Sequence, residues 1–213
     1  MDQKTKTVVI IVAHPDDETL WAGGTILSNA SWQCFIVCLC RKNDPDRAPK
    51  FERALKALGV NGIMGDLDDG PEQKALSEPE VEEAILRLLP SRYFDLAITH
   101  SINGEYTRHR RHEEIAKAVI SLWKTGKLEA GELWAFAYED NHRAYFPIII
   151  EDAPIYYALP HNIWELKYNI ITTVYGFEKD SWEAQTTPKE EAFWQFFNPG
   201  QAQQWLVNGS YLL

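Results

Sequence analysis

Cysteine is scarce in this 213-residue chain: there are three, Cys34, Cys38 and Cys40, all in one apolar stretch. An odd count inside a strand-like segment argues against a disulfide framework and reads as buried, reduced thiols. Their spacing lacks the CxxC knuckle of a soft-metal site, and no histidine lies nearby. Basic charge is in deficit too. Lys and Arg number 21 against 31 Asp and Glu, for a formal net charge of −10. Such a surface argues against nonspecific binding to nucleic acid or anionic membrane. No apolar run is long enough for a membrane span, and the polar start MDQKTKT does not read as a signal peptide. A cytoplasmic protein is the resulting expectation. Internal repeats, low-complexity tracts and long linkers are absent. Hydrophobic residues reach 45%, enough for a substantial core.

Strand-like and helix-like segments alternate through the first two thirds. Strands are expected at 7–13, 32–40, 60–66, 94–100 and 131–138, and helices at 17–30, 47–59, 78–90 and 109–125. That rhythm predicts an α/β fold: a Rossmann-like, mostly parallel sheet with helices on both faces. The chain is expected to form one domain over 1–213, with a core at about 7–140 and an aromatic-rich C-terminal extension at about 141–213. In the extension, YFPIIIED is strand-like, 162–173 reads as a helix, and Thr187-Pro188 suggests another over 188–197. Trp164, Trp182, Trp194 and Trp205 are expected to pack the extension onto the sheet or to wall a pocket.

Two polar clusters follow predicted strands, where ligands bind in open α/β sheets. The first, after the β-branched run Val8 to Val12, is His14-Pro15-Asp16-Asp17-Glu18. Helix capping explains one or two acids there, but not a histidine beside adjacent aspartates. The second begins at His100 and runs through Asn103-Gly104-Glu105-Tyr106 to His109 and His112. Spaced three apart at a helix start, His109 and His112 can share a face. A catalytic zinc takes three protein ligands and leaves a position for water. The ligands would be His14, one of the two aspartates and one of the two histidines. The other aspartate is then free to act as general base, and the other histidine to stabilise an oxyanion or protonate a leaving amine. Asp68 and Asp69 read as turn formers, and His142 and His161 as surface or structural residues. Asn103-Gly104 suggests a mobile loop carrying Glu105 and Tyr106. Arg108, Arg110 and Arg111 are expected to pair with Glu105, Glu113 and Glu114 or to attract an anionic substrate. Gly23-Gly24 lies inside the helix and does not form a dinucleotide-binding turn.

Ala13-His14-Pro15-Asp16-Asp17-Glu18 resembles the AHPDDE motif of the LmbE-like, or PIG-L, zinc deacetylases. The resemblance continues through Leu20, Gly23-Gly24-Thr25, Arg47, Ala54, Leu58-Gly59, Asp69-Gly70, Thr99-His100 and Gly104-Glu105-Tyr106 to His109 and His112, roughly residues 7–120. Between the last two the family commonly has Pro-Asp, whereas this chain has Arg110-Arg111. The resemblance implies His14, Asp17 and His112 as metal ligands, Asp16 as general base and His109 as the second catalytic histidine. It implies Tyr106 as an oxyanion donor and Arg47 as a substrate contact. The cofactor implied is Zn2+, with Fe2+ as the other divalent candidate. The implied reaction removes an acetyl group from an N-acetylated small molecule, a glycoside foremost. Neither nucleic acid nor a membrane span is implied, and a homo-oligomer is compatible. The alternatives are a non-catalytic binding domain on the same scaffold and a metal hydrolase of a different bond.

Overall fold

The computed structural model describes residues 5–107 and 109–209. It opens with β1 (Thr7–Val12), α1 (Asp17–Ser28), β2 (Gln33–Cys38), α2 (Arg47–Leu58) and β3 (Asn61–Met64). Then come α3 (Glu78–Leu88), β4 (Phe94–Thr99), α4 (Arg110–Lys124) and β5 (Ala130–Phe136). Two short strands, β6 (Tyr138–Glu139) and β7 (Ile148–Ile149), pair with each other apart from the main sheet. The chain ends with β8 (Ile155–Ala158), α5 (His161–Asn169), a π-helical turn (Ile170–Val174), α6 (Trp182–Thr186), β9 (Glu190–Phe196) and α7 (Pro199–Asn208). Among the described residues, no helix is long and apolar enough to cross a membrane.

The seven-stranded sheet runs β3-β2-β1-β4-β5-β9-β8. Its first five strands are parallel, and β9 and β8 add an antiparallel edge. Burial on both sides accounts for the unalternated apolar run of β1. Val9 and Ile11 enter a core shared with α3, α4 and α7, while Val8, Ile10 and Val12 enter one shared with α1 and α2. From β1 the chain winds outward through β2 and β3, then returns to place β4 on the other side. The carboxyl ends of β1 and β4 therefore flank the topological switch point, where α/β sheets open a crevice.

The expected helix at 188–197 is instead the strand β9. Thr187-Pro188 imitates a helix start, but the residues beyond it divide between the two cores. Ala192, Trp194 and Phe196 enter one and Phe193 the other. Apolar burial on both faces erases the alternation that marks a strand. Of YFPIIIED, only Ile148–Ile149 is extended in a ladder. The helix expected at 162–173 is α5 continued by the π-helical turn. Trp194 and Trp205 pack into the core, whereas Trp182 lines the cleft described below.

One buried ion pair joins the extension to α1. The Glu191 carboxylate accepts from the backbone N–H groups of Gly24 and Thr25 at 2.7 and 2.6 Å, inside the helix. It also accepts from Thr25 Oγ1 at 2.6 Å and from Lys167 Nζ at 2.7 Å. Tyr138 Oη donates to the Trp21 carbonyl, the acceptor that Thr25 would use in a regular helix. Gly24 leaves room on the same helix for Leu159: a Cβ there would stand 2.4 Å from the Leu159 side chain. Both charges are fully buried, so removing one leaves the other uncompensated. Glu191→Ala is expected to cost about 3–5 kcal/mol in denaturant unfolding. Glu191→Leu with Lys167→Met should recover most of that loss. A single-variant cost below about 1 kcal/mol would show that the pair does not anchor the extension.

Candidate active site

The turn after β1 is held from several sides. Asp16 stands at the helix N-cap with φ 121°, a strained backbone for a non-glycine residue, and its side chain makes no capping hydrogen bond. Its backbone N–H donates to Glu18 Oε2 at 3.1 Å, and Glu18 in turn accepts from Tyr175 Oη at 2.7 Å. The cap reading of this cluster therefore does not apply to Asp16. Asp17 turns inward: Oδ2 accepts from the His14 backbone N–H at 2.8 Å and Oδ1 from Trp21 Nε1 at 3.2 Å.

The second cluster closes over the first from β4 and α4. Glu105 is fully buried. It accepts from the Ser101 N–H at 2.8 Å and from Nδ1 of both His100 and His112. A carboxylate only accepts, so both imidazoles carry their proton on Nδ1. His100 Nε2 then accepts from the Ala13 N–H at 2.9 Å, which ties the β4 loop to the β1 loop. His112 Nε2 is left directed at the first cluster.

Three donor atoms converge there. His14 Nδ1 lies 3.2 Å from Asp17 Oδ2 and 3.3 Å from His112 Nε2, and those two are 3.4 Å apart. A tetrahedral ion with ligands at about 2.0–2.1 Å separates its donors by about 3.3–3.4 Å, so the triangle has the dimensions of a metal seat. Two other groupings could be drawn: His14, His109 and His112, or Asp17, His100 and His112. The second uses an atom already engaged, because the His100 Nε2 lone pair takes the Ala13 N–H.

Charge supports the same assignment. Burial would lower the His112 pKa, but the Asp17 and Glu105 carboxylates push it up to about 10. Burial would raise Asp17, yet His112 and His100 hold it well below the usual carboxylate range. This pocket is built to surround positive charge, whether proton or cation. Asp16 differs from its neighbour: burial and the adjacent Asp17 charge raise it well above the ordinary value, against the pull of Arg47 and His14. Burial, then the neighbouring His112 and His14, lowers His109 to about 3 and keeps it neutral.

These groups open onto a cleft of about 610 Å³. His14, Asp16, Asp17, Arg47, Tyr106 and His109 all line it, so the expected site residues are brought together apart from His112, which lies buried behind them. His109 presents its ring edge to His14, centroids 4.6 Å apart, and its Nδ1 is buried without a hydrogen-bond partner. Arg47 Nη1 lies 3.4 Å from Asp16 Oδ2, and its guanidinium stacks over Phe177 at 4.7 Å. The Tyr106 ring is 5.8 Å from that of His109 and 5.5 Å from that of His112.

Several expectations need correction. Asp69 does not merely shape a turn. Its Oδ1 stands 3.2 Å from His14 Nε2, outside hydrogen-bond geometry, and its Oδ2 accepts from Arg41 Nη2 at 2.6 Å. Glu105 is a buried brace for two histidines, not a surface partner of arginine on a mobile loop. Arg111 is itself buried, pairs with Glu114, and donates to the carbonyls of Asp68 and Lys74, clamping the loop that presents Asp69. Arg110 donates to the Gln73 carbonyl at 2.8 Å. Arg108 lies outside the described residues. His161 is exposed beside Glu165, and the thiols are free and buried, as expected. His100 has no role that the sequence points to, although it stands in a stretch that resembles the family.

Fold and cluster together are those of an α/β enzyme with its reactive groups at the carboxyl edge of a parallel sheet. Residues 9–123 match the model of the PIG-L family, GlcNAc-PI de-N-acetylase, and the chain belongs to that family. N,N'-diacetylchitobiose deacetylase from Pyrococcus horikoshii shares the fold with a TM-score of 0.69 at 16% identity, over 92% of this chain and 85% of that one. GalB, the 4-carboxy-2-hydroxymuconate hydratase of Pseudomonas putida, shares it with a TM-score of 0.62 at 16% identity, over 91% and 97%. An uncharacterized protein of Acanthamoeba polyphaga mimivirus is 20% identical over 179 residues, 76% of each chain.

The donor triangle predicts tight binding of one Zn2+ per chain in calorimetric titration. His112→Ala should abolish that stoichiometric binding. Glu105→Gln, which leaves the donors but weakens the brace behind His112, should loosen it about 10- to 100-fold. Unchanged zinc affinity in both variants would place the ion elsewhere.

Proposed function

We propose that the chain is a metal-dependent N-deacetylase, hydrolysing the acetyl group of an N-acetylated sugar or related small molecule. The observation that carries this reading is the donor triangle of His14, Asp17 and His112 with Asp16 and His109 on the same cleft. A ligand set, a separate carboxylate of raised pKa and a separate neutral imidazole are the parts amide hydrolysis needs. Family membership supports it. The shared fold alone does not select the reaction, since a hydratase is built on it too.

His14, Asp17 and His112 would hold the ion. When bound there, a divalent cation such as Zn2+ or Fe2+ supplies Lewis acidity, polarising an acyl oxygen and favouring the hydroxide form of water near neutral pH. Asp16 takes the proton from water as its oxygen forms a bond to the acetyl carbon. Its raised pKa improves it as a base, and the nearby Arg47 keeps an ionised population available. Tyr106, a phenol held neutral by burial and by the surrounding carboxylates, can donate to the developing oxyanion. His109, neutral at rest, offers a proton route to the nitrogen as the C–N bond breaks. The products are acetate and the free amine. Arg47 and Asp69 flank the cleft as contacts for substrate hydroxyls.

Acetate release from N-acetylglucosamine derivatives by the zinc-loaded chain tests the reading. Asp16→Asn is expected to lower kcat by about 10²- to 10⁴-fold while zinc content stays the same. Undiminished turnover in that variant would remove Asp16 from the mechanism. Absence of acetate from every N-acetylated compound tried, with zinc bound, would remove the activity.

A further inference from the structure

Asp16 is held twice, once by its backbone and once by its side chain, and both holds lead back to Tyr175-Gly176-Phe177. That segment lies in the extension, beyond the residues that match the family, 9–123. The backbone route runs through Glu18, which is fully buried in the first turn of α1. Glu18 Oε2 accepts from the Asp16 N–H at 3.1 Å. Its Oε1 accepts from Thr19 Oγ1 at 2.6 Å and from Tyr175 Oη at 2.7 Å. Asp16 and Thr19 belong to the same turn as Glu18 and move with it. Tyr175 comes from far along the chain, is 1% exposed, and packs in the core shared with α1 and α2. It therefore ties the turn to a fixed point. A backbone at φ 121° persists only where surrounding contacts over-determine it. Were it to relax, the Asp16 carboxylate would swing away from its place beside the donor triangle.

The side-chain route runs through Arg47. Its Nη1 lies 3.4 Å from Asp16 Oδ2, and its guanidinium lies over the Phe177 ring at 4.7 Å. A planar guanidinium seated on a ring face is oriented as well as attracted. The local fold delivers both rings. At the end of the π-helical turn, the Tyr175 N–H donates to the Ile170 carbonyl at 2.9 Å and the Phe177 N–H to the Ile171 carbonyl at 3.2 Å. Ile170 and Ile171 are themselves buried in the same core as Tyr175. Gly176, between the two rings, has φ 76°, a conformation that a residue without Cβ adopts freely. The ring centroids of Tyr175 and Phe177 end 6.3 Å apart, with the Tyr175 hydroxyl on Glu18 and the Phe177 ring against Arg47. Irregular π-type turns recur at functional sites, and this one carries two contacts that converge on one residue.

We propose that Tyr175 and Phe177 are positioning residues for Asp16: Tyr175 fixes the turn that carries it, and Phe177 fixes the guanidinium that faces its carboxylate. The assignment rests on the deacetylase reading, in which Asp16 is the general base. Both residues act through Glu18 and Arg47 rather than on the substrate. The extension thereby contributes to the chemical step as well as to the wall of the cleft. A base must lie within hydrogen-bond reach of the water it deprotonates, and a displacement of about 1 Å can cost up to about 100-fold in rate.

Two measurements test this, and the first needs no turnover. Tyr175→Phe removes the hydroxyl and keeps the ring, and amide hydrogen exchange in the full chain is followed by NMR. The Asp16 N–H is expected to exchange about 10-fold faster, while the amides of Val9 to Ile11 in β1 keep their rates and report intact folding. Unchanged exchange at Asp16 overturns the role of Tyr175. The second measurement is acetate release by the zinc-loaded chain. Tyr175→Phe and Phe177→Leu should each lower kcat about 10-fold, with KM little changed and zinc content full. Placed in the Asp16→Asn chain, neither should lower the residual rate further, because the group they position is gone. A merely structural role predicts equal losses in both backgrounds, and that result overturns the assignment, as does an undiminished kcat. Absence of acetate from the unaltered chain removes the deacetylase reading, and the exchange rates then decide by themselves whether Tyr175 holds the turn.

Discussion

The Glu105 carboxylate sets which nitrogen of two histidines is free, and the site depends on that choice. Both His100 and His112 give it their Nδ1 proton. One consequence is mechanical: His100 Nε2 is left to accept the Ala13 N–H, which fixes the end of β1 against the end of β4. The other is chemical: with Nδ1 engaged, Nε2 is the His112 nitrogen that faces His14 and Asp17, where it carries a proton or, once that proton is displaced, gives its lone pair to a cation. A neutral residue at position 105 would leave both tautomers open. The crevice between β1 and β4 is supplied by sheet topology, but its donor geometry comes from one acid that never touches it.

Electrostatics divides two adjacent aspartates. Asp17 and Asp16 are both nearly inaccessible, at 3% and 7% exposure, yet they are driven in opposite directions. Asp17 lies among imidazoles and stays ionised. Asp16 lies across the turn beside a like charge, with a guanidinium at 3.4 Å as its partial relief. A peptide geometry with φ 121° is what turns the two side chains apart. The strain is offset by Glu18, whose carboxylate holds the Asp16 N–H from below. Pairs of acids whose surroundings separate their pKa values are a recurrent basis for assigning ligand and base within one site.

Much of this was legible in the chain itself. Val8 to Val12, followed at once by His14 and the acids, located the first half of the cluster, and the His109–His112 spacing located the second. The parallel core followed from strand–helix alternation. What local pattern could not show were contacts made across the fold. Nothing near Asp69 distinguishes a turn acid from one delivered to His14 by a clamp at Arg111. Glu105 sits in a polar, Gly-containing stretch and reads as exposed, because its two partners come from the end of β4 and from α4. The strand β9 was hidden for a different reason: with apolar residues on both faces, it lacks the periodicity on which strand assignment depends.

The clasp of Glu191 on Gly24 and Thr25 bears on how the chain can be divided. The family match ends at residue 123, well before the carboxylate that accepts from the α1 backbone at Gly24 and Thr25. Cut there, the chain would lose the carboxylate that accepts from the Gly24 and Thr25 N–H groups, in the helix that begins at Asp17. Lys167 and Glu191 tie the later segment to that helix through buried charge, so the pair must change together or not at all. Between Lys167 and Glu191, the loop at 178–187 supplies Trp182 and Glu183 to the wall of the cleft. A change of substrate is most easily written in that wall, while the catalytic frame stays in place.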